Sequence, residues 1–173
     1  LSFDVDDHGG DDPRVVTTFL GQDPCVVVVP SSMSSSVRAG HPHHRPTISS
    51  IIVEAPTDSI PISVLAGAPL LGQPDLHQSS IDDRLRRLGI EPDYVFRSAD
   101  NGAVQAMVRV GLGIAVMPLL AVDMTDPDVI VCRPDPPMPP RTIRIAARVG
   151  AQLSNASLRF IEIAREVCAP VVT

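Results

Sequence analysis

The sequence predicts an α/β fold, and three observations carry that prediction. Short apolar, β-branched runs of strand length alternate along the chain with segments of helical period. The helical segments carry capping and charge signals at their ends. The chain has 173 residues, 44% of them hydrophobic, enough for one or two compact lobes with cores of their own.

The elements follow in order. Residues 1–5 read as a short strand that runs into an acidic, Gly-containing loop over 6–12. Val15–Leu20 and Cys25–Val29 read as strands parted by the turn-like Gly21-Gln22-Asp23-Pro24. Val26–Val29 shows no alternation, which predicts a strand buried on both faces. Residues 31–46, rich in Ser, His and Pro, read as a mobile surface loop. A short extra strand over 47–53 and a helical turn over 60–67 precede the buried strand Pro69–Gly72.

Ser80–Gly89 reads as a helix. Ser80 and Asp83 match a capping box, and Asp82/Arg86 and Asp83/Arg87 stand four residues apart. Ile81, Leu85 and Leu88 form its apolar stripe, and Gly89 fits the position just past its end. A strand over 92–96 leads to a helix over 99–110, with Ser98 as its cap and Ala103, Met107 and Val110 as its buried stripe, widened by Val104 and Ala106. Gly111 stops it, and a strand over 113–117 ends at Pro118. Further strands are expected at 129–132 and 143–147, with 134–140 too Pro-rich for regular structure. Ser154 starts a terminal helix with Leu158, Ile161, Ala164 and Cys168 on one face and Arg159, Glu162 and Glu166 on the other.

Composition narrows the function classes. Net charge is −6, every basic residue is Arg, and no basic face suited to nucleic acid stands out. One Tyr and no Trp leave no aromatic platform for bases. No apolar run reaches the length of a membrane helix, and the first residues show no signal peptide. Cys25, Cys132 and Cys168 are scattered and read as reduced thiols. His41-Pro42-His43-His44 and the aspartates at 4–12 match no compact metal motif, so no metal site is expected. A nucleophile elbow, a P-loop, a dinucleotide fingerprint and H-E-x-x-H are all missing, so no catalytic residue and no cofactor are expected.

The chemistry that remains sits where strands end. Phe96-Arg97-Ser98-Ala99 closes a strand and opens a helix, whose first-turn N–H groups suit an anion. Arg97 could pair with a carboxylate bidentately, and Ser98 could cap the helix or donate to a ligand. A plain cap and a solvated surface charge explain the same two residues. Gly72-Gln73 follows another buried strand and offers exposed backbone beside an amide, although an ordinary turn has the same composition.

Taken in order, three segments resemble the effector-binding domain of LysR-type transcriptional regulators: Asp93–Ser98, the helix end Met107–Gly111, and Leu112–Leu120, with G-x-G-I at 111–114 and Met117-Pro118 closing the strand. Pro24–Pro30, Ile62–Gly72 and Ser157–Val167 are similar to flanking pieces of that family in the same order. The resemblance implies a two-lobed type 2 periplasmic-binding-protein-like fold with two crossing strands. Lobe I would hold 1–30 and 144–173, lobe II 31–143, and the chain would start partway through lobe I. It also implies an interlobe ligand site lined by Asp4, Val5, Gly72, Gln73, Phe96, Arg97, Ser98 and Ala99.

The function expected on this resemblance is effector sensing and oligomerisation for a cytoplasmic bacterial regulator. The effector would be a small molecule, with a carboxylate suggested by Arg97. The chain would form a homodimer or tetramer, with the Ile81–Leu88 helix either at the dimer surface or simply in the core. DNA would be met only through a helix-turn-helix domain that this chain lacks. A transporter's solute-binding protein of the same fold and a small α/β metabolic enzyme are the rival readings.

Overall fold

A computed structural model describes residues 2–4, 13–34, 59–74 and 76–168. The chain divides into two compact units, residues 1–24 with 140–173, and residues 25–139. These borders differ from the 30/31 and 143/144 divisions expected from the sequence. The reason is that the strand Cys25–Pro30 hydrogen-bonds entirely within the second unit.

The first unit is built on a three-stranded antiparallel sheet. Its strands are β1 (Ser2–Asp4), β2 (Val15–Asp23) and β9 (Arg141–Arg148), in the order β1-β9-β2. Strand β2 runs through the expected turn at Gly21–Asp23, so Pro24 alone separates it from the next strand. The two strands are not a hairpin, because β2 pairs with β9 instead. Asp23 and Arg141 face each other across that pair, with a 2.8 Å contact from Arg141 Nη2 to the fully buried Asp23 Oδ2.

Six strands form the sheet of the second unit: β3 (Cys25–Pro30), β4 (Ser59–Pro61), β5 (Pro69–Gly72), β6 (Asp93–Arg97), β7 (Ile114–Pro118) and β8 (Val129–Asp135). They lie in the order β4-β8-β3-β7-β5-β6. Strands β6, β5 and β7 run parallel to one another, while β3 is antiparallel to both β7 and β8. Apolar side chains cover both faces. Val27, Val29, Leu70 and Ile114 meet Ile81 and Leu85 of helix α1 (Leu76–Arg87) on one side. Val26, Val28, Leu71 and Ala115 meet Val104 and Val108 of helix α2 (Asn101–Arg109) on the other. Burial on both faces explains the unbroken Val26–Val29 run, as the sequence predicted.

Several element boundaries differ from expectation. Helix α1 begins at Leu76, so Ser80 and Asp83 lie inside it and form no capping box. Arg86 pairs with Asp83 and Glu91, and the Arg87 guanidinium donates to the Asp83 carbonyl oxygen. In α2 the buried residues are Val104, Gln105 and Val108, while Val110 just past its end is exposed. The helix is therefore rotated from the predicted stripe, because Gln105 turns inward to bond the backbone of Asp123. Strand β8 extends through Pro134 to Asp135 and takes part of the Pro-rich stretch, where parallel pairing with β4 fixes it. Helix α3 (Asn155–Cys168) starts as predicted, with Ser154 Oγ accepting from Ser157 N. The readings placed on 5–12, 35–58 and 169–173, including Val5 and the histidines at 41–44, lie outside the described residues.

Candidate functional site

Parallel pairing of β5 with β6 brings their carboxyl ends together. Gly72 pairs with Arg97, and the Ser98 amide donates to the Gly72 carbonyl oxygen at 3.0 Å. The register slips by one residue between Leu70 and Leu71, opposite Tyr94 and Phe96. Strict alternation would put Tyr94 and Phe96 on one face. The slip instead sends Tyr94 to the α1 side of the sheet and Phe96 to the α2 side.

Tyr94 then anchors a polar circuit at the strand ends. Its hydroxyl donates to Asp82 Oδ1 at 2.5 Å and accepts from Gln78 Nε2. Gln78 Oε1 accepts from the Gln73 amide at 3.2 Å. Arg97 Nη1 donates to the Gln73 carbonyl oxygen at 3.2 Å, and Arg97 Nη2 lies 3.6 Å from Asp82 Oδ2. The Arg97 guanidinium also sits 3.8 Å over the Tyr94 ring. Gln73 Nε2 donates to Asn101 Oδ1, which ties the end of β5 to the start of α2. Burial, reinforced by the hydrogen bond to the Asp82 carboxylate, pushes the Tyr94 hydroxyl far above its ordinary pKa.

Gly72 is required where it stands. A Cβ there would lie 2.5 Å from Tyr94 Cε1 and 3.0 Å from Gln78 Oε1. The circuit thus fills the space that glycine leaves, and the backbone comes close to the Tyr94 ring. Burying so many polar groups is tolerable because they satisfy one another.

One sequence expectation needs correction here. Ser98 is not the cap of α2. The cap is Asp100, whose Oδ1 accepts from Gly102 N at 2.8 Å and from Ala103 N at 3.3 Å. Ser98 Oγ accepts from Asp100 N at 3.1 Å and so holds the capping residue. Asp and Ser cap equally well, so composition alone cannot choose between positions 98 and 100. Arg97 is exposed at the surface, and its guanidinium is partnered by Asp82, the Gln73 carbonyl and the Tyr94 ring.

The structure therefore brings Gly72, Gln73, Phe96, Arg97, Ser98 and Ala99 to the same end of one sheet. Gln73 is buried, Phe96 and Ser98 are half-buried, and Ala99 is exposed. Asp4 lies in β1 of the other unit, in register with Arg144. Sequence reasoning missed Gln78, Asp82, Tyr94, Asp100 and Asn101. The i,i+4 spacing of Gln78 and Asp82 could have placed them on one helix face. The register slip that turns Tyr94 toward them leaves no local signal.

A family model described as the LysR substrate binding domain matches residues 3–169. Solved structures share the fold. The effector binding domain of QuiR in complex with shikimate is 21% identical, with a TM-score of 0.68 over 95% of this chain and 70% of that one. HinK, a LysR family transcriptional regulator from Pseudomonas aeruginosa, is 15% identical, with a TM-score of 0.75 over 98% of this chain and 54% of that one. The Synechocystis PCC6803 CcmR regulatory domain in complex with 2-PG is 15% identical, with a TM-score of 0.71 over 99% of this chain and 74% of that one. This chain thus spans between about half and three quarters of their lengths.

Proposed function

We propose, from the premise that this chain belongs to the LysR substrate binding domain family, that it senses a small-molecule effector for a LysR-type transcriptional regulator. The match over residues 3–169 carries this reading. The effector contact is assigned to the rim formed by Gly72, Gln73, Arg97, Ser98 and Ala99. Support comes from its position, since ligands of open α/β sheets collect beyond the carboxyl ends of strands. It also comes from the polar circuit, which presets those groups in a layer otherwise packed with apolar side chains.

On this reading the chain is not catalytic, acts in the cytoplasm and assembles as a dimer or tetramer. DNA contact belongs to another domain of the parent regulator. Among the described residues no helix is long and apolar enough to cross a membrane. Ile81 and Leu85 are buried in the core, so a dimer contact through the Ile81–Leu88 helix would use its outer face.

Thermal-shift screening of small metabolites on the purified chain, followed by titration of the compounds that stabilise it, tests the reading. Ser98→Ala and Gln73→Ala should each weaken binding roughly threefold to tenfold, the value of one hydrogen bond. Unchanged affinity in both variants would remove the rim from the effector site. Turnover of the compound would favour the enzyme reading instead.

A further inference from the structure

We propose that the effector group received at this rim is uncharged, a hydroxyl or an amide, and not a carboxylate or phosphate. The inference rests on the reading of the rim as the effector contact and names the chemistry that contact selects.

Each of the two features of the rim that would attract an anion already faces a carboxylate. The Arg97 guanidinium, on a side chain 41% exposed, lies 3.6 Å from the Asp82 carboxylate, donates from Nη1 to the Gln73 carbonyl oxygen and sits over the Tyr94 ring. Asp82 is held in place by Tyr94 and Gln78, with only 11% of its side chain exposed, so it does not swing away from Arg97. At the start of α2, the amides of Gly102 and Ala103 point at the Asp100 carboxylate. One positive side chain therefore stands against two negative ones among the described residues here. An incoming carboxylate would add a third negative charge at a place where each of its natural partners already faces one.

What the rim still offers is neutral. The Ser98 oxygen accepts from the Asp100 amide, which leaves its proton to donate. Asn101 uses its carbonyl oxygen toward Gln73, which leaves its amide hydrogens to donate. The Asp100 carboxylate, exposed at the cap, can accept from a ligand hydroxyl or amide. This is a set of donors and acceptors suited to hydroxyl and carboxamide groups.

The test uses matched pairs of probes: benzoate with benzamide, nicotinate with nicotinamide, and succinate with succinamide. Each is titrated into the 15N-labelled chain, and the amides of Gln73, Ser98 and Ala99 and the Arg97 Nε–H are followed. The uncharged members should give saturable shifts at these groups, and the acids should not. Asp82→Asn with Asp100→Asn removes both charges while an Asn still caps α2, and it should raise affinity for the acids at least tenfold. Asp100→Asn alone provides the comparison if the double variant does not fold. An acid that binds the unmodified rim more tightly than its amide would overturn this inference and leave the effector reading standing. The inference also fails if the charge-removed variant gains no affinity for acids. Silence at the rim from every probe would sink both.

Discussion

Tyr94 is the only tyrosine in a chain without tryptophan, so its ionisation can be followed by absorbance with no interference. In the unfolded chain it should ionise near pH 10. In the folded chain burial and the Asp82 carboxylate raise its pKa, so the native state keeps the proton that the unfolded state loses. The stability this contributes is whole below pH 10 and declines as pH rises above it. Tyrosinate absorbance of the native protein should stay flat through pH 10–11, and urea unfolding should show a loss of stability there that Tyr94→Phe lacks. Titration near pH 10 in the native state would mean that the buried circuit is not formed. Gly113 makes a second residue-level demand. A Cβ there would stand 2.3 Å from the Pro69 carbonyl oxygen, which is backbone and cannot rotate away. Gly113→Ala must push β7 off β5 and should cost roughly 2–3 kcal/mol in urea unfolding.

Helices and strands were legible to different degrees, for physical reasons. The apolar stripe Ile81 and Leu85 read correctly, because core packing decides those positions and the helical period exposes them. Leu85→Ala should therefore cost about 2–5 kcal/mol. The polar side of the same helix was misread. Asp82 looks like a surface acid in sequence, yet it is buried against Tyr94 and Arg97, residues from a different element. The rotation of α2 was hidden for a similar reason. A buried Gln is unexpected until the backbone it serves is known, and here it bonds both the N–H and the C=O of Asp123. Gln105→Ala would leave both groups unsatisfied, at a cost of roughly 1–3 kcal/mol. Likewise, the pairing of β2 and β3 was not legible, because their partners β9, β7 and β8 lie more than eighty residues further along. Local turn chemistry at Gly21–Pro24 gives no hint of them.

For the molecule as a whole, the α/β class and the family were legible because ordered, loosely matching pieces run along most of the chain. The fold is the type 2 periplasmic-binding-protein-like fold of LysR effector domains. The candidate rim was legible as a place, since Gly72-Gln73 and Arg97-Ser98 both follow strands. Its charge state was not legible, because it depends on which carboxylate each donor finds in three dimensions. The cross-strand pair of Asp23 and Arg141 belongs to this scale too, as it sits beside both points where the chain passes between units. Arg141→Ala would remove the guanidinium that faces the fully buried Asp23 carboxylate and should cost roughly 1.5–3 kcal/mol. The most direct test of effector sensing is amide hydrogen exchange, with and without the compound that stabilises the chain most in a thermal-shift screen. Slowed exchange is predicted over residues 71–73 and 97–103, at the ends of β5 and β6 and the first turn of α2. Protection confined to other segments, with these unchanged, would contradict the account.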